Sequence, residues 1–191
     1  IRDSLNGDKI NTDFMVQTNN FNYFRTNELQ AIELPYGDGN FSMVVLLPVE
    51  GVDINEFAES LNEEKLNLWI SELPVKKGTL WLPKFETEYK SGLIPYLTSL
   101  GMGIAFNPSE ADFTNMHRNG GLFINQVLHK TYVKVDEEGT EAAAVTLVGI
   151  GRTSVGNDGF VMRVNRPFIF LIKENNSGCI LFLGKIINPQ P

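Results

Sequence analysis

A mixed α+β fold, made mostly of antiparallel strands with a few short helices, is what this sequence predicts, and three observations carry the prediction. Short runs rich in β-formers recur along the chain between clusters of Gly, Asn, Asp and Pro. Helical three- and four-residue apolar spacing interrupts them only locally. No repeat, low-complexity segment or linker divides the chain, so the elements belong to one strand-rich α+β piece.

The first two β runs are Leu29 to Leu34 and Phe41 to Leu47, joined by Tyr36-Gly37-Asp38-Gly39-Asn40, whose composition suits a hairpin turn. From Asp53 to Leu73 the period changes. Ile54, Phe57, Ala58 and Leu61, then Leu66, Trp69, Ile70 and Leu73, mark the apolar stripes of two short helices with Asp53 and Asn62 as N-caps. "GTLWLPKFETEY" alternates as a strand, with Pro83 marking a bend or an edge. "SGLIPYLTSLGM" reads as another helix, capped by Ser91 and ended by Gly101. "GLFINQVLHKTYVKVDEEG" reads as one long strand. "FVMRVN", "PFIFLIKE" and "CILFLGKII" are three more, separated by Pro167 and by Asn175-Asn176-Ser177-Gly178.

Composition bounds the function. With 191 residues the chain can bury one sizeable core, and 42% apolar and 20% charged residues are ordinary for a globular protein. A net charge of -7 argues against nucleic acid and anionic lipid as partners, and no apolar run is long enough to span a membrane. The chain starts at Ile1 with neither a charged n-region nor an apolar h-region after it, so any targeting signal is expected upstream. The single cysteine, Cys179, excludes an internal disulfide and reads as a small buried hydrophobe. His117 and His129 lie in different segments, no cluster has metal-ligand spacing, and "GIGRTSVGNDG" matches neither a dinucleotide fingerprint nor a P-loop. Most carboxylates read as solvated surface charge. Asn40 and Asn175 each open an Asn-x-Ser sequence, a weak glycosylation signal. No catalytic constellation emerges, so the expectation is a protein that is not an enzyme and needs no metal or cofactor.

The stretch "DEEGTEAAA", followed by "VNRPFIFLI" and "ILFLGKIINP", resembles the serpin family of protease inhibitors. "LQAIELPYG", "MVVLLP", "LPKFE", "LGMGIAFNPSEADFTNM" and "VLHKTYVKVDEEGTEAA" fit the same family in the same order, so that the resemblance runs from Asn11 to Pro189. It implies a serpin-like multi-sheet fold of which residues 1–191 are the C-terminal portion, with a reactive-centre loop at about residues 137–160. The N-terminal half of the fold would then lie upstream and act as a structural partner. The implied function is that of a suicide substrate of serine or cysteine proteases, whose cleaved loop inserts into the main sheet as a new strand. An extracellular location goes with that reading. The rival is a non-inhibitory serpin serving as a binding or carrier protein or a chaperone.

A segment first solvated and later buried needs small, β-compatible side chains on its inward face. The hinge implied by the resemblance, Glu137, Glu138, Gly139, Thr140, Glu141, Ala142, Ala143 and Ala144, meets that demand. Alternation puts Thr140, Ala142, Ala144, Thr146 and Val148 on one face and Glu141, Ala143, Val145 and Leu147 on the other, where Glu141 stays in water. At about 3.3 Å per residue, Gly139 to Thr153 spans roughly 50 Å, enough for a long strand. Counting from the hinge puts the reactive bond between Thr153 and Ser154; counting back from "NRPF" puts it nearer Gly156-Asn157. Arg152 adds an alternative bond, Arg152-Thr153, suited to a trypsin-like protease, whereas Thr153 suits an elastase- or subtilisin-like one. The resemblance further implies that Lys84 pairs with Glu137 at the top of the loop, and that His129 bonds to a neighbouring central strand as a structural gate.

Overall fold

The computed structural model describes residues 12–71, 73–137 and 159–189. Two compact units emerge, one formed by residues 1–86 with 134–191 and the other by residues 87–133.

The first unit is organised on β1 (Phe14–Arg25), β2 (Leu29–Tyr36), β3 (Phe41–Pro48), β4 (Val75–Pro83), β7 (Phe160–Arg163), β8 (Phe168–Glu174) and β9 (Ile180–Ile186). They form one sheet in the order β7-β4-β1-β2-β3-β8-β9. All neighbours are antiparallel except β4 and β7, which run parallel. The β2–β3 hairpin closes over Gly37 and Gly39, both at positive φ, and the Gly39 N–H donates to the Tyr36 carbonyl at 2.8 Å. Beyond Phe41, every residue of β3 is buried, because this strand has β2 and β8 on its edges and side chains packed on both faces. That is why "SMVVLLP" is nearly continuous in apolar character where a half-exposed strand would alternate.

Two helices cover one face, α1 (Ile54–Glu59) and α2 (Glu63–Ser71). Ile54, Phe57, Leu66 and Trp69 pack there against Leu29, Ala31, Val44, Leu46, Ile169 and Leu171, with Phe57 and Trp69 stacked at 6.0 Å. Each helix starts where the sequence places its cap. The Asp53 carboxylate accepts from the Asn55 and Glu56 N–H groups at 2.7 and 3.2 Å, and Asn62 Oδ1 accepts from the Lys65 N–H at 2.9 Å. On the other face, Phe85 sits against Phe168 and Phe170 with ring centroids 5.6 and 5.3 Å apart.

Strands β5 (Phe85–Gly92) and β6 (Leu128–Val135) form a separate two-stranded sheet. The bend expected at Pro83 is the point where the chain leaves the large sheet: β4 ends there, and β5 starts two residues later. In the second unit, α3 (Ile94–Leu97) passes into a π turn over Thr98–Met102 and a 3₁₀ turn over Gly103–Phe106.

Three expectations need correction, and one strand has no counterpart in the sequence pattern. Ser91 caps no helix; it lies in β5, and the helix starts after Leu93 because Pro95, which lacks an N–H, fits only the first turn. Gly101 does mark the end of regular helix, at φ 97°. The long strand read from residue 121 is confined to β6, since Gly120 and Gly121 adopt positive φ and the Ile124 N–H is spent on the Ala105 carbonyl at 2.9 Å. Cys179 is exposed rather than buried, because it ends the β8–β9 turn and leads into the edge strand β9. Finally, β1 was not foreseen: its central Gln17-Thr18-Asn19-Asn20 is polar and exposed, and the strand persists through its ladder to β4.

Candidate functional site

Residues 138–158 lie between two described stems. Glu138, Gly139, Thr140, Glu141, Ala142, Ala143, Ala144, Arg152, Thr153 and Ser154 all fall outside the described residues, and Glu137 is the hinge residue that the structure places.

The leading stem is β6. Val133 and Val135 point inward and are buried, with exposed Lys134 between them, so the strand reaches residue 136 with a fixed register of faces. There Lys134 Nζ meets Asp136 Oδ2 at 3.0 Å, and one residue on Glu137 Oε1 meets Lys84 Nζ at 2.7 Å. Lys84 is well placed for this. Its N–H donates to the Asp13 carbonyl at 3.0 Å, and its neighbour Phe85 is buried against Phe168 and Phe170. The bond from Lys84 holds the Glu137 carboxyl below its usual range, and the bond to Glu137 raises the Lys84 ammonium above its own. Both charges are therefore present from mildly acidic to alkaline pH. The pair is lost as pH falls through the lowered Glu137 value, or rises through the raised Lys84 value. Lys84 is 28% and Glu137 60% exposed, so the contact is screened by salt.

The trailing stem is β7. A Cβ on Gly159 would stand 2.9 Å from the Lys77 carbonyl, so the chain can enter beside β4 only as glycine. Phe160 then lies over Gly78, its register partner, where any Cβ would overlap the ring. The Phe160 ring stacks on Tyr23 at 3.6 Å and meets Phe21 edge-on at 6.1 Å. Met162 and Val164 are fully buried, the Val164 N–H donates to the Trp81 carbonyl at 2.9 Å, and Arg163 lies over the Trp81 ring at 5.2 Å. The one legible signal was Gly78 inside a strand pattern, which marks close approach of another group.

His129 is exposed on β6, and no hydrogen bond from its ring is found among the described residues. His117, the other histidine, bonds the Gly120 carbonyl at 3.0 Å through Nδ1, a local turn contact. No three His, Cys, Asp or Glu side chains gather as metal ligands among the described residues. The described residues on either side of 138–158 are thus two strands, β6 leading in and β7 leading out.

The sequence matches the family described as Serpin (serine protease inhibitor) over residues 4–189. This chain belongs to the serpin family. It is 40% identical over 177 residues to human plasminogen activator inhibitor 2, covering 89% of this chain and 42% of that protein. With human Serpin B13 it shares 37% identity over 180 residues, covering 92% of this chain and 46% of that protein. Among solved structures, the thermophilic serpin tengpin in its native state superposes with a TM-score of 0.82 at 34% identity, covering 98% of this chain and 48% of that one. This serpin chain thus spans about half the length of the relatives it matches. Its large mixed sheet with few helices agrees with the α+β serpin fold.

Proposed function

We propose that the full-length protein is a protease inhibitor working as a suicide substrate, with residues 137–160 as its reactive-centre loop. One observation carries the reading: the segment is tethered at both ends, by the Lys84–Glu137 pair where β6 ends and by Phe160 packed on Gly78 and Tyr23 where β7 begins. A protease that attacks the loop would acylate at Thr153, or at Arg152 if it is trypsin-like. Cleavage frees the Glu137 side from the Phe160 side, and the segment from Thr140 onward then inserts beside β6 as a new strand, with Thr140, Ala142 and Ala144 facing inward. Beside β6, the described residues supply β5 alone as a sheet partner. In this reading the N-terminal portion of the serpin fold provides the neighbour that insertion needs, and His129 helps hold that seam. The partners are a serine or cysteine protease and that N-terminal portion, and the setting is extracellular, which detection of the natural protein in culture medium would check.

The deciding experiment mixes the full-length protein with a trypsin-like and, separately, an elastase-like protease. A complex that survives denaturing electrophoresis, with a released C-terminal peptide starting at Ser154, is the expected result. A peptide starting at Thr153 moves the bond to Arg152. Cleavage within the loop by both proteases with no complex would overturn inhibition in favour of a binding or carrier role.

A further inference from the structure

The two Asn-x-Ser sequences, Asn40-Phe41-Ser42 and Asn175-Asn176-Ser177, are 133 residues or more apart in the chain and meet at the end of the β3–β8 ladder, where Phe41 pairs with Glu174. Their asparagines are in opposite situations. The Asn175 amide is used completely: Nδ2 donates to the Gly39 carbonyl at 2.7 Å and to Ser42 Oγ at 2.8 Å, while Oδ1 accepts from Lys173 Nζ at 2.7 Å. Its backbone N–H donates to the Asn40 carbonyl at 2.8 Å. Ser42 is 1% exposed, and Lys173 passes the network on to Glu33 at 2.9 Å and thence to Asn22 at 2.7 Å. The Asn40 side chain stands exposed at the hairpin tip, with no hydrogen bond of its own among the described residues.

N-glycosylation converts one amide N–H into an N–C bond. The Asn nitrogen bonds to the anomeric carbon of an oligosaccharide, the bond from that carbon to a lipid-linked diphosphate donor breaks, the diphosphate leaves with the electron pair, and the amide proton passes to solvent. One proton then remains on the nitrogen. At Asn175 it could not serve both Gly39 and buried Ser42, and the sugar would stand where one of those acceptors lies. At Asn40 nothing native is lost.

We propose that Asn40 is an N-glycan site that the folded protein can carry, and that Asn175 must stay unmodified for the β3–β8 seam to form. In a secretory pathway, chains modified at Asn175 are those that fail to fold.

The test expresses the natural full-length polypeptide both through a eukaryotic secretory pathway and in the bacterial cytoplasm, which adds no such glycan. Enzymatic deglycosylation in ¹⁸O water followed by peptide mass spectrometry reads each asparagine separately. The folded secreted fraction should be labelled at Asn40 and unlabelled at Asn175. A folded secreted fraction labelled at Asn175, or one unlabelled at Asn40, would overturn the proposal. Ser177→Ala and Asn175→Gln both abolish the second Asn-x-Ser sequence, but only the first leaves the amide in place, since Gln carries it one methylene further out. Ser177→Ala loses the turn contact to Glu174 but should keep most of the folded yield in both hosts, whereas Asn175→Gln should lose it severalfold in both. Bacterial Asn175→Gln that folds like the parent would contradict the structural role assigned to that amide.

Discussion

Glu33 and Lys173 form an ion pair at 2.9 Å with side chains only 14% and 13% exposed, although the composition suggests carboxylates that are mostly solvated. Burial alone would raise the Glu33 carboxyl, but bonds from Asn22 and Lys173 together with the Lys173 charge overcome it and hold the group below its ordinary value. A lowered folded value means stability that is present above the unfolded carboxylate range and is lost as pH falls through the folded one. Glu33→Ala strands the Lys173 ammonium, and we expect a loss of about 3 kcal/mol in denaturant unfolding at neutral pH, near the low end for a broken buried pair since both groups keep some solvent. Gly184 makes a different demand. A Cβ there would overlap the Phe170 ring, as one at Gly78 would overlap Phe160. Gly184→Ala should cost about 1–3 kcal/mol through overpacking, measured the same way. Neither effect could be read from the sequence, because which ring faces which glycine depends on strand register.

The helices and turns show more clearly what local pattern decides. Asp53 and Asn62 are read as caps from their positions before apolar stripes, and both act as caps, because a cap needs only the N–H groups two and three residues ahead. Asn62→Ala should therefore lower stability by about 1 kcal/mol, seen as a reduced unfolding midpoint. The β8–β9 turn carries a sharper signature. Glu174 accepts from the Ser177 hydroxyl at 2.6 Å and from the Ser177 and Asn176 N–H groups at 2.6 and 3.0 Å, bonds that bring its carboxyl down to about 2. A carboxyl NMR titration should find that midpoint, and Ser177→Ala should shift it towards the ordinary value of 4.5. Where an element depends on distant partners the sequence reading failed. The polar middle of β1 hides a strand whose Thr18 and Thr79 hydroxyls meet across the ladder at 2.8 Å, and residues 121–127 look like a strand but have no ladder.

At the scale of the whole molecule, the edge strand β9 leaves Ile180, Leu181, Phe182 and Leu183 between 36% and 57% exposed, a contiguous apolar run on an edge without a strand partner among the described residues. Expressed as these 191 residues alone, the chain should bind a hydrophobic dye and associate with itself, and Leu181→Lys with Leu183→Lys should reduce both, as dye fluorescence and light scattering would show. The sequence by itself determined the serpin family, the α+β class, the β2–β3 hairpin, the helix caps and the small-residue character of the hinge. Each of these is written in residues close together, or in motifs kept in order along the chain. Only the tertiary structure decided that Glu33 meets Lys173, that Phe160 anchors the trailing stem on Gly78 and Tyr23, and that the Asn175 amide is consumed between Gly39, Ser42 and Lys173. The physical reason is common to all three. Each contact joins residues far apart in sequence, and only the order and register of the strands bring them within bonding distance.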